Sequence, residues 1–447
     1  MRITNFDNTG LDRVEQWIEK NRHLNLDDNV LSEVLKTVNI SFVAEKVNRM
    51  QSMLLCELKD SYVQQSQRYV TMGENAYDLP ELEEEDTNKA KELVDKLFRL
   101  YSDMSQLKDG DFKGRPKNEN YKYGIPIEDA RYILPISTKT NLFCAMTGDK
   151  LIDLYSLIQD EAYSSIFYDF SKELEKYIPS NILSVLHNQK NTNSEIINIS
   201  ESFYIDDFNK IDEDNNMILV DSFEDLDLKV GLGALTSTQK RTPSETIEIW
   251  KDEAKTKAKN VAKRVLGYGH DSIAEQARTT FGMMCSLVTY HQQVRHRLTN
   301  NHREPLVNLI KDKERLAVSP PTIRESKFNN EYLNLIDKIK DFRIYIYEKY
   351  GFDKALYFLL NADQIKIIIS SNARMDINML SERICLNAQW EIRDLSTKKL
   401  MILRTLSDTL YEKALPSCVN GKCKEGRLSC GKVLEVKRKF SQSKAKN

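Results

Sequence analysis

No run of about 18 apolar residues occurs anywhere in this 447-residue chain, so no membrane span is expected. The opening Met1-Arg2-Ile3-Thr4-Asn5-Phe6-Asp7 lacks an apolar leader core, and the expected location is the cytoplasm. A dominant charge is missing too: 65 Lys and Arg stand against 67 Asp and Glu, a net charge of -2. Neither nucleic acid nor a membrane surface is expected as a partner, and any phosphate binding must be local. No G-x-G-x-x-G follows a strand pattern, which argues against a Rossmann nucleotide site. Cysteine is scarce and odd in number, seven in all, with Cys56, Cys144, Cys285 and Cys385 scattered; that argues against a disulfide framework. Cys418, Cys423 and Cys430 lie close in sequence but have no nearby histidine as a fourth ligand, so no metal is expected.

What is present is a set of polar motifs in one order. Gln292-Gln293-Val294-Arg295-His296-Arg297 puts two guanidiniums and an imidazole within three residues, a combination suited to a phosphate-bearing aromatic ligand. Taken alone, such a triplet is most simply a solvated helix face. It follows Gly269-His270-Asp271-Ser272-Ile273-Ala274-Glu275 by about one helix length, and precedes Ser371-Asn372-Ala373-Arg374, Asn378, Arg383 and Ala388-Gln389-Trp390-Glu391-Ile392. This order resembles the flavin-dependent thymidylate synthases across roughly residues 216–415.

The family signature continues from Arg-His-Arg to a serine and an arginine, but here those positions hold Pro305 and Val307. The missing half stands earlier, in Ser61-Tyr62-Val63-Gln64-Gln65-Ser66-Gln67-Arg68-Tyr69, where the triplet position in turn holds Cys56-Glu57-Leu58. Glu128-Asp129-Ala130-Arg131-Tyr132-Ile133-Leu134-Pro135 is similar to the segment whose arginine binds the nucleotide, and its later counterpart has Leu356 instead. With the same offset, Thr147, Asp149, Asp153 and Ile158 stand for Asn372, Arg374, Asn378 and Arg383. Each half keeps what the other lacks, as in an internal duplication with divided labour.

The resemblance implies an α+β fold of two tandem repeats, each with helices packed on a small, mostly antiparallel sheet. Residues 1–186 would form the first, nucleotide-binding repeat, 187–215 a linker, 216–415 the second, FAD-binding repeat, and 416–447 a Cys/Gly-containing basic tail. It also implies dTMP formation from dUMP, with methylenetetrahydrofolate and NADPH as co-substrates and one composite site between the repeats. FAD would be held by Ser272, Glu275, Arg295, His296, Arg297, Leu298, Asn372, Arg374 and Asn378. The nucleotide would be held by Gln64, Ser66, Gln67, Arg68, Arg131, Gln292 and Arg295. Arg383 would contact the uracil edge and promote its ionised form, while Tyr69 and His270 would lie near the folate. Ordinary members resemble homotetramers, so a double-length chain is expected to form a homodimer. Gln64, where the family usually has an acidic residue, and Asn387, in place of a common histidine, leave open another pyrimidine nucleotide, a hydroxymethyl product, or a silent binding protein.

Local patterns give further expectations. Residues 11–60 read as helical, with an amphipathic stretch from Val30 to Leu58, and a helix is expected around Asn88–Leu107. An insertion falls near residues 73–120. Met217–Asp221 reads as a strand, and Thr242-Pro243-Ser244-Glu245 as the start of a helix running to Leu266. Val294 and Leu298 are placed on the core side of a helix, and Ser66 to Arg68, if extended, would project serine and arginine from one strand face. Trp390 is read as core with Ile384 and Ile392.

Overall fold

The computed structural model describes residues 1–21, 23, 26–110, 116–187 and 199–442. Two four-stranded sheets organise it. The first is built from β1 (Arg2–Asn8), β2 (Asn39–Asn48), β3 (Ser61–Gln64) and β4 (Lys139–Thr147), in the order β1-β2-β4-β3. The second is built from β5 (Met217–Ser222), β6 (Arg278–Ser286), β7 (Asn300–Arg303) and β8 (Gln364–Asn372), in the order β5-β6-β8-β7. Sequence order and sheet order thus repeat, with antiparallel pairing along β1–β2–β4–β3 and in the β5–β6 and β7–β8 pairs.

The elements between strands repeat as well. In the first half α1 (Arg49–Glu57) follows β2, α2 (Glu84–Met104) follows β3, and α3 (Lys150–Gln159) follows β4. In the second half α4 (Leu287–Gln293), α5 (Asn329–Tyr350) and α6 (Ala373–Arg383) hold the same places, and α7 (Trp390–Leu406) comes after them. A four-residue helix and a 3-10 turn precede the fourth strand of each sheet: Ile127–Ala130 with Arg131–Ile133, and Phe352–Ala355 with Leu356–Phe358. Arg131 and Leu356 therefore open equivalent turns, and the α+β duplication is visible in connectivity where residue identity is low.

By compactness the chain divides into two units. Unit 1 takes residues 1–202, 286–295 and 305–365, and unit 2 takes residues 203–285, 296–304 and 366–447. In unit 1, β2 buries Ile40, Phe42 and Ala44 and β4 buries Leu142, Cys144 and Met146, the period of two that a half-buried strand requires. In unit 2, Phe208, Ile211, Met284 and Ile368 form a buried cluster against the sheet.

Several local expectations need correction. Between 11 and 60 the structure has helices at Leu11–Lys20 and Asp28–Leu35, then β2, then α1; the Ile40-Phe42-Ala44 alternation is a strand signal that outweighs the helical spacing around it. The acidic run at Glu84, Glu85 and Asp86 is the first turn of α2, where carboxylates complement the positive end of the helix dipole. Asp86 also accepts from Lys349 Nζ at 2.8 Å and Tyr350 Oη at 2.7 Å on α5. The helix that begins at Thr242 does so with the expected cap, yet it breaks: Pro243–Trp250 ends where Lys251 adopts φ 47, and a second helix runs over Ala254–Gly267. Of the stretch read as a linker, residues 188–198 lie outside the described residues and Ile199–Lys210 is helical; part of the insertion, 111–115, also lies outside them. No helix among the described residues is long and apolar enough to cross a membrane.

Candidate functional site

Unit 1 gathers the residues expected to hold the nucleotide. β3 ends at Gln64, and Gln65 N–H still donates to Asn141 O at 2.9 Å before the chain turns. Ser66 heads that turn: its Oγ accepts from Arg68 N–H at 3.2 Å and its carbonyl from Tyr69 and Val70 N–H at 3.1 and 3.0 Å. The extended geometry expected for Ser66 to Arg68 is thus replaced by a serine-capped turn, because the hydroxyl satisfies a backbone donor two residues on. Arg68 swings to Glu128, 2.5 Å away. Gln64 Oε1 accepts from Ser52 Oγ, and Tyr69 is half exposed.

Arg131 lies in the 3-10 turn before β4, 4% exposed. Its Nε donates to Glu128 O at 3.2 Å, while Nη2 is buried without a hydrogen-bond partner. Burial, followed by the nearby Arg68 charge, pulls its pKa down. Gln67 is 3% exposed, and neither side-chain amide atom has a partner. Gln292 and Arg295 belong to the same unit, with Gln292 Nε2 donating to Val288 O at 3.3 Å.

Two residues that the sequence reading passed over complete this cluster. Arg49, the first residue of α1, is buried, and its pKa is pushed down to about 9 by desolvation and then by the charges of Arg131 and Arg295. His291 on α4 is buried with neither ring nitrogen partnered. Burial, then Arg49, Arg295 and Arg131, hold its pKa well below the ordinary histidine range. The available signals were a lone arginine among Val47, Met50, Met53 and Leu54, and a histidine beside Gln292.

The helix caps also refine the register of the two halves. Asn48 caps α1 and Ser286 caps α4, so Glu57 rather than Cys56 is the counterpart of Arg295. Glu57 accepts from Tyr290 Oη at 2.6 Å.

Unit 2 gathers the remaining residues expected to hold the flavin. β8 delivers Asn372 to the N-cap of α6, where its side chain accepts from Met375 N–H at 3.0 Å. Arg374 and Asn378 are i, i+4 neighbours on α6. Both line a cleft of about 340 Å³ with Ala274, Asp271 and Lys413. Arg374 Nη1 pairs with Glu275 at 2.5 Å, and Ser272 is in the same 3-10 segment as Glu275. A cleft of this size beside a half-exposed guanidinium fits an adenosine-phosphate portion. Arg383 ends α6, about 13.5 Å further along the axis, and donates from Nε to His296 Nε2 at 2.8 Å.

The Arg295-His296-Arg297 triplet is not helical: α4 ends at Gln293 and the triplet lies in the loop before β7. Val294 is buried as expected, whereas Leu298 is 73% exposed because the helix stops before it. His270 is exposed at the start of its 3-10 segment. Trp390 is half buried, between fully buried Ile384 and Ile392. Asn387 Nδ2 donates to Leu428 O at 2.7 Å, which ties the tail to this turn. Cys418 is buried, Cys423 and Cys430 are partly so, and Cys385 is near enough for Cys430 and Cys418 to help raise its pKa after burial. Among the described residues no group of three His, Cys, Asp or Glu side chains is arranged to hold a metal ion.

Beneath α6, Asp376 is fully buried and accepts from Lys399 Nζ at 2.7 Å, Ser371 Oγ at 2.7 Å and Thr279 Oγ1 at 3.4 Å. This network joins α6 to α7, β8 and β6, and so fixes the helix that carries Arg374, Asn378 and Arg383.

A family model described as thymidylate synthase complementing protein matches residues 7–166 and 219–407, more than half of the chain. The chain belongs to this family. The two matched segments fall one on each repeat, in keeping with a double-length member. The flavin-dependent thymidylate synthase of Clostridium tetani is 30% identical over 217 residues, 44% of this chain and 86% of that protein. Those of Geobacter sulfurreducens and Thermococcus kodakarensis are 32% and 36% identical, over 40% and 37% of this chain and 79% and 72% of their own length. A solved flavin dependent thymidylate synthase from Helicobacter pylori, complexed with FAD and dUMP, is 18% identical with a TM-score of 0.36, covering 45% of this chain and 99% of its own.

Proposed function

We propose that the chain converts dUMP to dTMP, with methylenetetrahydrofolate as carbon donor, FAD as the hydride carrier and NADPH as the source of reducing equivalents. The observation that carries this reading is Arg131. A guanidinium buried in an apolar turn with Nη2 unpartnered needs an anion, and it does so in a chain of the thymidylate synthase complementing family.

Gln64, Ser66, Gln67, Arg68, Arg131, Gln292 and Arg295 would bind and orient the nucleotide, the guanidiniums on its phosphate. Bound flavin supplies the hydride. Ser272, Glu275, Asn372, Arg374 and Asn378 would hold its adenosine and phosphate portion, and Arg295, His296, Arg297 and Leu298 its ring and pyrophosphate. Ser66 would act in binding: its Oγ accepts from Arg68 N–H, which leaves the hydroxyl proton to donate to the nucleotide. Arg383 would stabilise negative charge on the uracil ring and so make C5 a better nucleophile. His270 and Tyr69, both exposed, would flank the folate.

The test is product analysis after incubation with dUMP, methylenetetrahydrofolate and NADPH, beside the absorbance spectrum with and without dUMP. Formation of dTMP with flavin turnover is the expected result. A hydroxymethyl product, turnover of another pyrimidine nucleotide only, or bound flavin without turnover would each replace this reading.

A further inference from the structure

We infer that Arg49 and His291 are two further ligands of the nucleotide's phosphate, and that with Arg131 they make the site selective for a doubly charged phosphomonoester. The inference rests on the thymidylate reading for the identity of the nucleotide, while the anion site itself rests on the geometry of unit 1.

Within this unit a buried arginine with a structural role has a recognisable set of partners. Arg343 donates from Nη1 to Asp363 at 2.5 Å and from Nη2 to Leu309 O at 2.7 Å, and Asp363 in turn accepts from Leu360 N–H. Arg49 differs on every count. It is 6% exposed, and among the described residues its guanidinium has neither a carboxylate nor a carbonyl within hydrogen-bond reach. Arg131 accompanies it with Nη2 unpartnered, and His291, 2% exposed, with both ring nitrogens unpartnered. Counting the Gln67 amide, three buried side chains beside Arg49 thus keep polar atoms without a protein partner, against the strong rule that buried polar groups are hydrogen-bonded.

The backbone holds them together. Arg49 and Met50 N–H donate to Thr138 O and Ile136 O at 2.8 and 2.9 Å. Ile136 N–H donates to Leu359 O at 2.8 Å, and Val288 N–H at the start of α4 donates to Asn361 O at 3.1 Å. Asn361 Nδ2 reaches Arg131 O at 2.9 Å. The start of α1 is thus fixed to residues 136–138, and that segment, the start of α4 and the Arg131 turn are each fixed to residues 359–361.

Charge identifies the ligand class. Arg68 is already paired with Glu128, and among the described residues neither buried guanidinium, Arg49 or Arg131, makes an ion pair of its own, although Glu128 and Asp129 lie near Arg131. A phosphomonoester carries about -1.5 to -2 charges at neutral pH and three strong acceptor oxygens, which matches both the charge and the excess of donors. A neutral imidazole has one N–H to give and adds no further repulsion.

The experiment is calorimetric titration of the flavin-loaded chain with dUMP, deoxyuridine and inorganic phosphate, for wild type, Arg49→Met, Arg49→Lys and His291→Phe, together with thermal unfolding of each ligand-free protein. Arg49→Met should weaken dUMP about 30-fold or more and leave deoxyuridine binding unchanged, with partial recovery in Arg49→Lys. His291→Phe should weaken dUMP about tenfold, the worth of one hydrogen bond to a charged group. Ligand-free Arg49→Met should melt at a higher temperature than wild type, because an unpaired buried charge has been replaced by an apolar side chain. Unchanged dUMP affinity, or equal losses for dUMP and deoxyuridine, would overturn the inference, as would a lowered melting temperature with phosphate binding intact. Wild type that binds inorganic phosphate through Arg49 but ignores dUMP would overturn the thymidylate reading and leave the anion site standing.

Discussion

Arg383 donates its Nε–H to Nε2 of His296 at 2.8 Å, across a helix end and a loop of unit 2. The acceptor must keep its lone pair, so the imidazole is neutral with its proton on Nδ1. An uncharged ring does not itself neutralise the guanidinium. Arg383→Ala is therefore expected to lower kcat by about 100-fold while dUMP affinity stays within a few-fold, since the lost interaction grows with charge on the uracil ring. Steady-state kinetics beside calorimetric dUMP titration measures both, and a rise in KM alone at unchanged kcat would remove Arg383 from the chemistry.

Arg374 and Glu275 make a half-exposed pair, with side chains 43% and 39% accessible. Such pairs contribute only about 0–1 kcal/mol to stability. Arg374→Ala should accordingly leave the melting temperature almost unchanged while the flavin absorbance per chain falls several-fold. Arg68→Ala, in the other unit, should retain its flavin. Equal flavin loss in the two variants would contradict the division of the residues into two sets.

The Lys399–Asp376 pair is of a different kind, because both side chains are almost completely buried. Lys399→Met would leave Asp376 without its counter-ion at a cost of about 3–5 kcal/mol. The double variant Lys399→Met, Asp376→Leu should recover much of that loss, since neither charge then remains uncompensated. Urea unfolding of the single and double variants decides it; a single variant as stable as wild type would show that Ser371 and Thr279 suffice for the carboxylate.

Much of this architecture is legible in residues whose chemistry is local. The Thr242 capping box, the β5 strand and the i, i+4 placement of Arg374 and Asn378 depend on a few neighbours in sequence, and all three are where patterning puts them. The ten-residue β2 strand was hidden because Ile40, Val43, Ala44 and Val47 also fit the i, i+3, i+4, i+7 spacing of a helix. The turn at Ser66 was hidden for another reason: a hydroxyl that bonds to its own backbone leaves no trace in the pattern of the strand before it. Arg49 and His291 left only faint signals in the sequence, a lone arginine among apolar residues and a histidine beside Gln292. Their significance depends on which groups fail to find partners after folding, a property of the packed chain.

The final prediction is one FAD and one dUMP per chain, in a homodimer. Ser66, Arg68 and Arg131 belong to the first repeat, and their counterparts in the second are Pro305, Val307 and Leu356. Leu356 is fully buried at the position equivalent to Arg131 and offers no donor. The residues expected from the second repeat show the reverse: Glu57 stands for Arg295 and Ile158 for Arg383, so a carboxylate replaces a guanidinium where an anion would have to bind. A second set assembled from these counterparts would lack every phosphate donor of the first, and electrostatics alone would make it inert. The flavin and nucleotide sets can come from one chain or from two without altering this count. Calorimetric stoichiometry, flavin absorbance per chain and a solution mass measured together test it. Two nucleotides per chain would show that the degenerate positions still bind, and an active monomer would show that the duplication has made assembly dispensable.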